Sequence, residues 1–201
     1  MSAVERLLAA DSPRADARRN MQRLVDAARA AIAEVGVDVT AHEIARRAGV
    51  GIGTFYRRLP SREALLEAVL DDLLAEMTGL ADRAMTEPDP WRGFRTFAED
   101  YVRLRATSCG INDALGGCPL NLDGPLARVR ERLSALVRRA QDAGVFRADV
   151  TWQDVAFLLA GVLPGDHTLG LPAPEGQWRR TLGIALDGLR ENPTCPPEDL
   201  G

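Results

Sequence analysis

Residues 49–58 read GVGIGTFYRR, in which three glycines alternate with aliphatic residues ahead of two aromatic residues and two arginines. Glycines this close together indicate a backbone that approaches another group or adopts unusual torsion angles. Two interpretations compete for this stretch. It is either a loop that holds the phosphates of a cofactor, or a tight turn that orients a helix for binding.

The sequence around the glycines argues against the cofactor loop. A dinucleotide-binding fingerprint, GxGxxG, lies between a strand and a helix. Residues 49–56 lack the last glycine, and the preceding EIARRA is charged and typical of a helix. A P-loop needs a lysine, and all 25 basic residues of this chain are arginine. We therefore expect no nucleotide cofactor.

Short helices are predicted on both sides of the turn. Thr40 and Glu43 have the spacing of a capping box, which starts a helix over 42–48. Gly49 ends that helix, and a second runs over 51–58. Two short helices joined by a glycine turn form a helix-turn-helix. The residues expected to fix the angle between them are Ile44, Ala45, Val50 and Phe55.

The rest of the chain also has helical spacing, with apolar residues every three or four positions. No segment alternates with a period of two for long, so we expect no sheet. The fold class predicted is all-α with about nine helices. Besides the pair above, helices are expected over 14–35, 62–85, from Pro90 to about 108, near 111–115, from Pro125 to Gly144, 151–163 and 175–190.

Charge is distributed unevenly along the 201 residues. Residues 1–62 hold 11 Arg against 7 Asp and Glu, and residues 63–201 hold 14 Arg against 22. A basic segment on an acidic body indicates that the first part alone meets a polyanion.

Several function classes find no support. The three cysteines form no CxxC pair and lie far from the two histidines, so we expect no metal site and reduced thiols. The longest apolar run, VAFLLAGVL, is less than half of a membrane span, and the chain opens without a long apolar stretch. The reduced thiols and the charged opening of the chain indicate a cytoplasmic protein. Because no nucleophile motif or Ser/His/Asp set is evident, we also expect that the protein is not an enzyme.

Residues 40–63, TAHEIARRAGVGIGTFYRRLPSRE, resemble the DNA-binding signature of the TetR family of bacterial transcriptional regulators. The matching features are AxxAGV, then GTxY, a short basic step and Pro-Ser-Arg-Glu before a long helix. The resemblance implies an all-helical homodimer. Its DNA-binding domain would cover 14–62, its ligand-binding and dimerisation domain 63–191, and residues 1–13 and 192–201 would be flexible.

The resemblance also implies which residues contact DNA. Those at matching positions are His42, Gly51, Ile52, Thr54, Tyr56, Arg57, Arg58 and Arg62. Arg58 and Arg62 stand where phosphate contacts are usual, and Arg57 has the geometry to bind guanine with two hydrogen bonds. Alternatives stay open: His42 as an ordinary helix-start residue and Tyr56 as a packed aromatic. Four N-terminal arginines form either an arm on the DNA or a solvated face: Arg14, Arg18, Arg19 and Arg23.

The body is expected to hold a mostly apolar small-molecule effector between its helices. Candidate pocket residues are Phe94, Phe97, Tyr101, Cys109, Cys118, Trp152 and Phe157, with ordinary core packing as the alternative. The acidic body favours neutral or cationic effectors. A dimer is expected through 151–163 and 175–190, with Leu182 in the interface. The function predicted is a repressor that an effector releases from a palindromic operator; the alternative is a helical small-molecule-binding or adaptor protein without a DNA role.

Overall fold

The computed structural model describes residues 2–9, 15–106, 120–162 and 167–191. These ranges contain nine α-helices, which confirms the all-α class. They are α1 (Ala3–Ala9), α2 (Ala15–Val35), α3 (Ala41–Ala48), α4 (Ile52–Arg58), α5 (Arg62–Thr86), α6 (Pro90–Ala106), α7 (Asp123–Asp142), α8 (Trp152–Gly161) and α9 (Gln177–Asp187). A 3₁₀ turn, Gly36–Asp38, follows α2. No helix within these ranges has the length and hydropathy of a membrane span.

Helix α1 was not predicted, since residues 1–13 were expected to be flexible. Ser2 and Glu5 form a reciprocal cap: the Glu5 amide donates to the Ser2 hydroxyl (3.0 Å), and the Ser2 amide to the Glu5 carboxylate (2.6 Å). The amides of Ala3 and Val4 donate to one carboxylate oxygen of Asp72 on α5, at 2.8 and 3.3 Å. Both residues are buried. This tertiary contact with α5 holds α1 in the fold.

The chain divides into two compact units, and the division falls inside α5. Of the described residues, the first unit holds those up to Glu76 and those from 120 to 126, and the second holds Met77–Ala106 and those from 127 onward. This division by contacts does not test the functional boundary predicted after residue 62, which stays a prediction.

The first unit packs α2 and α5 around the two short helices. Its fully buried side chains include Met21 and Leu24 of α2, Ile44 of α3 and Phe55 of α4. Helix α5 starts as predicted, because the Ser61 hydroxyl accepts a hydrogen bond from the Ala64 amide (3.1 Å). This core fixes where α4 presents its outer face.

The second unit is centred on aromatic residues of α6. The rings of Phe94 and Phe146 meet edge to face with centroids 4.6 Å apart. Gly93 is required here, because a Cβ would lie 2.6 Å from the Ala84 carbonyl oxygen at the end of α5. Arg139 of α7 donates to that carbonyl (3.1 Å), which satisfies a terminal acceptor of α5.

Local details differ from the prediction in two places. Helix α7 begins at Asp123, two residues before Pro125, because a proline in the first turn of a helix costs no helical hydrogen bond. His167–Thr168 pair with Leu171–Pro172 in a minimal antiparallel hairpin whose turn residues both have positive φ. Two-residue strands are too short to show alternation. The short helix expected near 111–115 lies outside the described residues.

Candidate DNA interface

The turn between α3 and α4 depends on Gly49. Its φ is 64°, in the left-handed region, so glycine is needed there for conformation rather than for space. The Gly49 amide donates to the Arg46 carbonyl (3.2 Å) and the Val50 amide to the Ala45 carbonyl (2.9 Å). These bonds close α3 and turn the chain directly into α4, as predicted.

The angle between the two helices is fixed by buried side chains. Phe55 and Ile44 are fully buried, and Ala45 and Leu59 nearly so. Phe55 therefore anchors α4 from the inside. The opposite face of this seven-residue helix remains for contacts outside the fold.

The outer face of α4 contains most of the predicted DNA-binding residues. Gly51, Tyr56 and Arg57 are exposed, while Ile52, Thr54 and Arg58 are half-buried. Tyr56 is 55% exposed, and its ring meets the Phe55 ring edge to face with centroids 5.2 Å apart. One guanidinium nitrogen of Arg57 donates to the Thr54 hydroxyl (3.1 Å), which orients the arginine along the helix.

The glycines at the start of α4 are not required by the fold. A Cβ at Gly51 or Gly53 would meet no atom of the protein within 4 Å. Gly51 also has an ordinary φ of −65°. Neither packing nor backbone strain therefore requires glycine at these two positions.

A concave surface of about 330 Å³ lies beside α4, where the starts of α3 and α5 come together. Its lining residues are Thr40, Ala41, His42, Tyr56, Pro60, Ser61, Arg62 and Glu63. The structure thus gathers three predicted contact residues, His42, Tyr56 and Arg62, around one hollow. Helix starts carry partial positive charge, which suits a phosphate group.

Arg62 has a structural role that the sequence did not indicate. Its Nη1 donates to the carbonyls of Val37 and Val39, each at 3.0 Å, and its Nε to Glu63 at 3.0 Å. The side chain is 25% exposed. Arg62 therefore ties the start of α5 to the chain before α3, and Nη2 has no hydrogen-bond partner in the described part of the chain.

The arginines of α3 are neutralised within the protein. Arg46 and Arg47 donate to the Glu43 carboxylate at 2.7–2.8 Å, and Arg47 also donates to Glu34 (2.6 Å). The hydrogen bonds that Glu43 accepts, first from Arg46 and then from Arg47, lower the pKa of Glu43 from 4.5 to about 2. The Thr40 hydroxyl accepts from the Glu43 amide (3.1 Å), but Glu43 pairs with arginines instead of completing the predicted capping box.

Three of the four N-terminal arginines lie on a helix and not on an extended arm. Arg18, Arg19 and Arg23 are exposed on helix α2, and Arg19 pairs with Asp16. Arg14 lies outside the described residues. On helix α2, these three arginines fit the predicted solvated face.

The predicted pocket residues of the body fall into different environments. Phe94 and Phe97 are buried in the core, and Tyr101 and Trp152 are half-buried. Phe157 is 80% exposed, because it lies on the face of α8 opposite the buried Val155 and Leu159. Cys109 and Cys118 lie outside the described residues. Within the described ranges, no group of His, Cys, Asp and Glu side chains could hold a metal ion.

Comparison with known families agrees with this geometry. Residues 24–69 match the model described as bacterial regulatory proteins, tetR family. Residues 89–191, more than half of the chain, match the C-terminal domain described as transcriptional regulator SbtR-like. The chain belongs to the TetR family. The resemblance seen in residues 40–63 is thereby confirmed and extends into the body.

Solved TetR structures cover nearly the whole chain. A TetR transcriptional regulator from Streptomyces coelicolor is 31% identical, with 84% of this chain and 97% of that chain covered and a TM-score of 0.59. A TetR protein from Mycobacterium vanbaalenii is 34% identical, with 88% and 98% covered and a TM-score of 0.58. The ketosteroid regulator KstR2 of Mycobacterium tuberculosis, at 18% identity, 90% and 100% coverage and a TM-score of 0.65, shares the fold. No curated protein has significant similarity.

Proposed function

We propose that this TetR-family protein is a cytoplasmic repressor that binds a palindromic operator as a homodimer and is released by a small-molecule effector. The observation that carries the proposal is the outer face of α4. It combines an exposed tyrosine and arginine with a glycine start that the fold itself does not need. Such a face suits a helix that enters the major groove of DNA.

Four residues of α4 and its N-cap are each assigned one contact. Arg57 binds guanine O6 and N7 with two hydrogen bonds, and Ile52 makes an apolar contact with a thymine methyl. Tyr56 donates its hydroxyl to a phosphate. The bare backbone at Gly51 lets a phosphate approach the amides of the helix start. His42 and Arg62 lie at the edge of the hollow, and they contact the DNA strand whose phosphate Tyr56 binds.

A dimer is proposed through exposed apolar side chains of α8 and α9. Phe157 and Ile184 are 80% and 72% exposed, which is costly for large apolar residues in water. Gly161 and Gly183 are exposed with open space around them, so a second chain can approach closely. The sequence predicted Leu182 in the interface, but this residue is 1% exposed and packs in the core of its own chain.

Release by an effector is proposed to act through α5. This helix begins at the hollow and continues through the boundary between the two units. An effector that moves its second half moves its start as well. The coupling must be reciprocal, so operator DNA weakens effector binding by the same factor by which the effector weakens DNA binding.

DNA binding at several salt concentrations tests the proposal against a protein without a DNA role. A fluorescent fragment of the promoter of the protein's own gene is titrated, and log K is plotted against log salt. A DNA-binding dimer gives a steep negative slope, because each phosphate contact releases counterions. Absence of binding at low salt would instead favour a helical small-molecule-binding or adaptor protein.

A further inference from the structure

One charged side chain of α6 is buried. Arg105, near the end of α6, is 4% exposed, and it is the one buried polar or charged residue among those the structure describes. The guanidinium group is a positively charged donor with no acceptor atom. A buried positive charge needs an anion or several strong acceptors.

The described part of the chain gives Arg105 little compensation. Its Nη1 lies 3.4 Å from the Tyr101 hydroxyl oxygen, a long hydrogen bond. Its guanidinium carbon is 5.8 Å from the centre of the Tyr101 ring. The Nε is buried without a hydrogen-bond partner. No ion pair of Arg105 with a carboxylate occurs among the described residues.

The neighbouring Arg103 shows what an ordinary arginine of this helix does. It is 49% exposed, and it pairs with Asp100 (2.9 Å) and Glu99 (3.9 Å). The contrast indicates that Arg105 is not merely one more basic residue in the last turn of a helix. Among the described residues it has no carboxylate partner to compensate its burial.

Apolar rings lead along α6 to the buried charge. Phe94, Phe97, Tyr101 and Arg105 follow one another at helical spacing. The ring centroids of Phe94 and Phe97 are 6.1 Å apart, and those of Phe97 and Tyr101 are 5.7 Å apart. The last ring, Tyr101, is half-buried. A ligand with an apolar body and an anionic end matches this order of side chains.

We propose that Arg105 binds the anionic headgroup of the effector, a carboxylate or a phosphate ester, while Tyr101 contacts its apolar body. The Tyr101 hydroxyl, which accepts from Arg105, is free to donate its proton to the same headgroup. The proposal deepens, and rests on, the effector response proposed above. It replaces the expectation of a neutral or cationic effector drawn from the acidic charge of the body.

Ligand binding without DNA tests this assignment. Calorimetry and thermal unfolding of the full-length protein are measured with octanoate, octyl phosphate and octan-1-ol, and with 4-phenylbutyrate and 4-phenylbutanol. At least one anion should bind roughly tenfold more tightly than its matched alcohol, as expected for charge-assisted hydrogen bonds. Octanoate and octyl phosphate then distinguish the two headgroups. Arg105→Met should abolish the preference for the anion, and Arg103→Met should leave it unchanged.

The unliganded variant separates a ligand site from a structural role. Without its anion, Arg105 contributes a buried charge, so Arg105→Met should melt at or above the wild-type temperature. The proposal is overturned if no anion exceeds its alcohol, or if Arg105→Met keeps the preference. DNA affinity of Arg105→Met without ligand should equal that of the wild type. If the wild-type protein does not bind DNA, that result contradicts the regulator function and leaves the anion site to be decided by the ligand measurements.

Discussion

Arg62→Met removes the guanidinium that ties the start of α5 to the chain before α3. Two hydrogen bonds from a charged donor, each at 3.0 Å to the carbonyls of Val37 and Val39, are lost. Bonds of this type contribute about 1.5 kcal/mol each at the lower end of their range. Because the side chain is 25% exposed, water replaces part of them, and we expect a loss of about 2 kcal/mol in the free energy of unfolding.

Urea unfolding at one fixed protein concentration measures this loss, which corresponds to about 4–8 °C in melting temperature for a chain of this size. Arg57→Met is the matched control, since Arg57 is exposed and bonds to Thr54 alone in the described part; its stability should change by less than about 0.5 kcal/mol. Equal midpoints for Arg62→Met and the wild type would refute the structural role. The salt slope of DNA binding should also fall by about one unit per bound protomer, through the phosphate contact of Nη2.

Four further outcomes follow from the same geometry. Arg57→Ala should relax the preference at one base pair of each half-site by about 1–3 kcal/mol, and an unchanged binding-site logo would exclude it as a base reader. Gly53→Ala should stabilise α4 by about 0.5 kcal/mol in thermal unfolding yet weaken DNA binding; unimpaired binding would mean that no partner approaches there. Phe157→Arg should give a monomer in light scattering, whereas Met85→Arg, at another exposed apolar residue, should not; a Phe157→Arg dimer would place the interface elsewhere. Because the pKa of Glu43 falls to about 2 on folding, its ion pairs stabilise the protein above pH 4.5, and this stability is lost as the pH falls toward 2. In a plot of melting temperature against pH, Glu43→Gln should show a smaller decrease over this range than the wild type. Parallel plots would contradict the pairing.

The helix-turn-helix could be predicted because its signals are local. Gly49 adopts the left-handed conformation that ends α3, Ser61 caps α5, and Phe55 faces inward as its spacing indicates. Each of these features depends on residues a few positions away. Helix α1 combines a local signal, the capping box of Ser2 and Glu5, with a distant contact to Asp72 that the sequence does not indicate.

The features that escaped prediction depend on residues far apart in sequence. Arg62 resembled a phosphate contact, and its carbonyl partners lie more than 20 positions earlier. Phe157 and Leu182 have similar hydrophobicity, and only the packing of α8 and α9 shows that one faces outward and the other inward. The burial of Arg105 likewise could not be inferred from a helix that has another arginine two positions before it.

Selection of binding sites from a random double-stranded library tests the central claim most directly. The wild-type protein should enrich a palindrome whose half-sites lie about one helical turn, roughly 34–36 Å, apart. Arg57→Ala, selected in parallel, should lose information at symmetric positions of both half-sites. A library that remains random after selection, with protein that is folded and dimeric, would contradict the assignment of α4 as a DNA-reading helix.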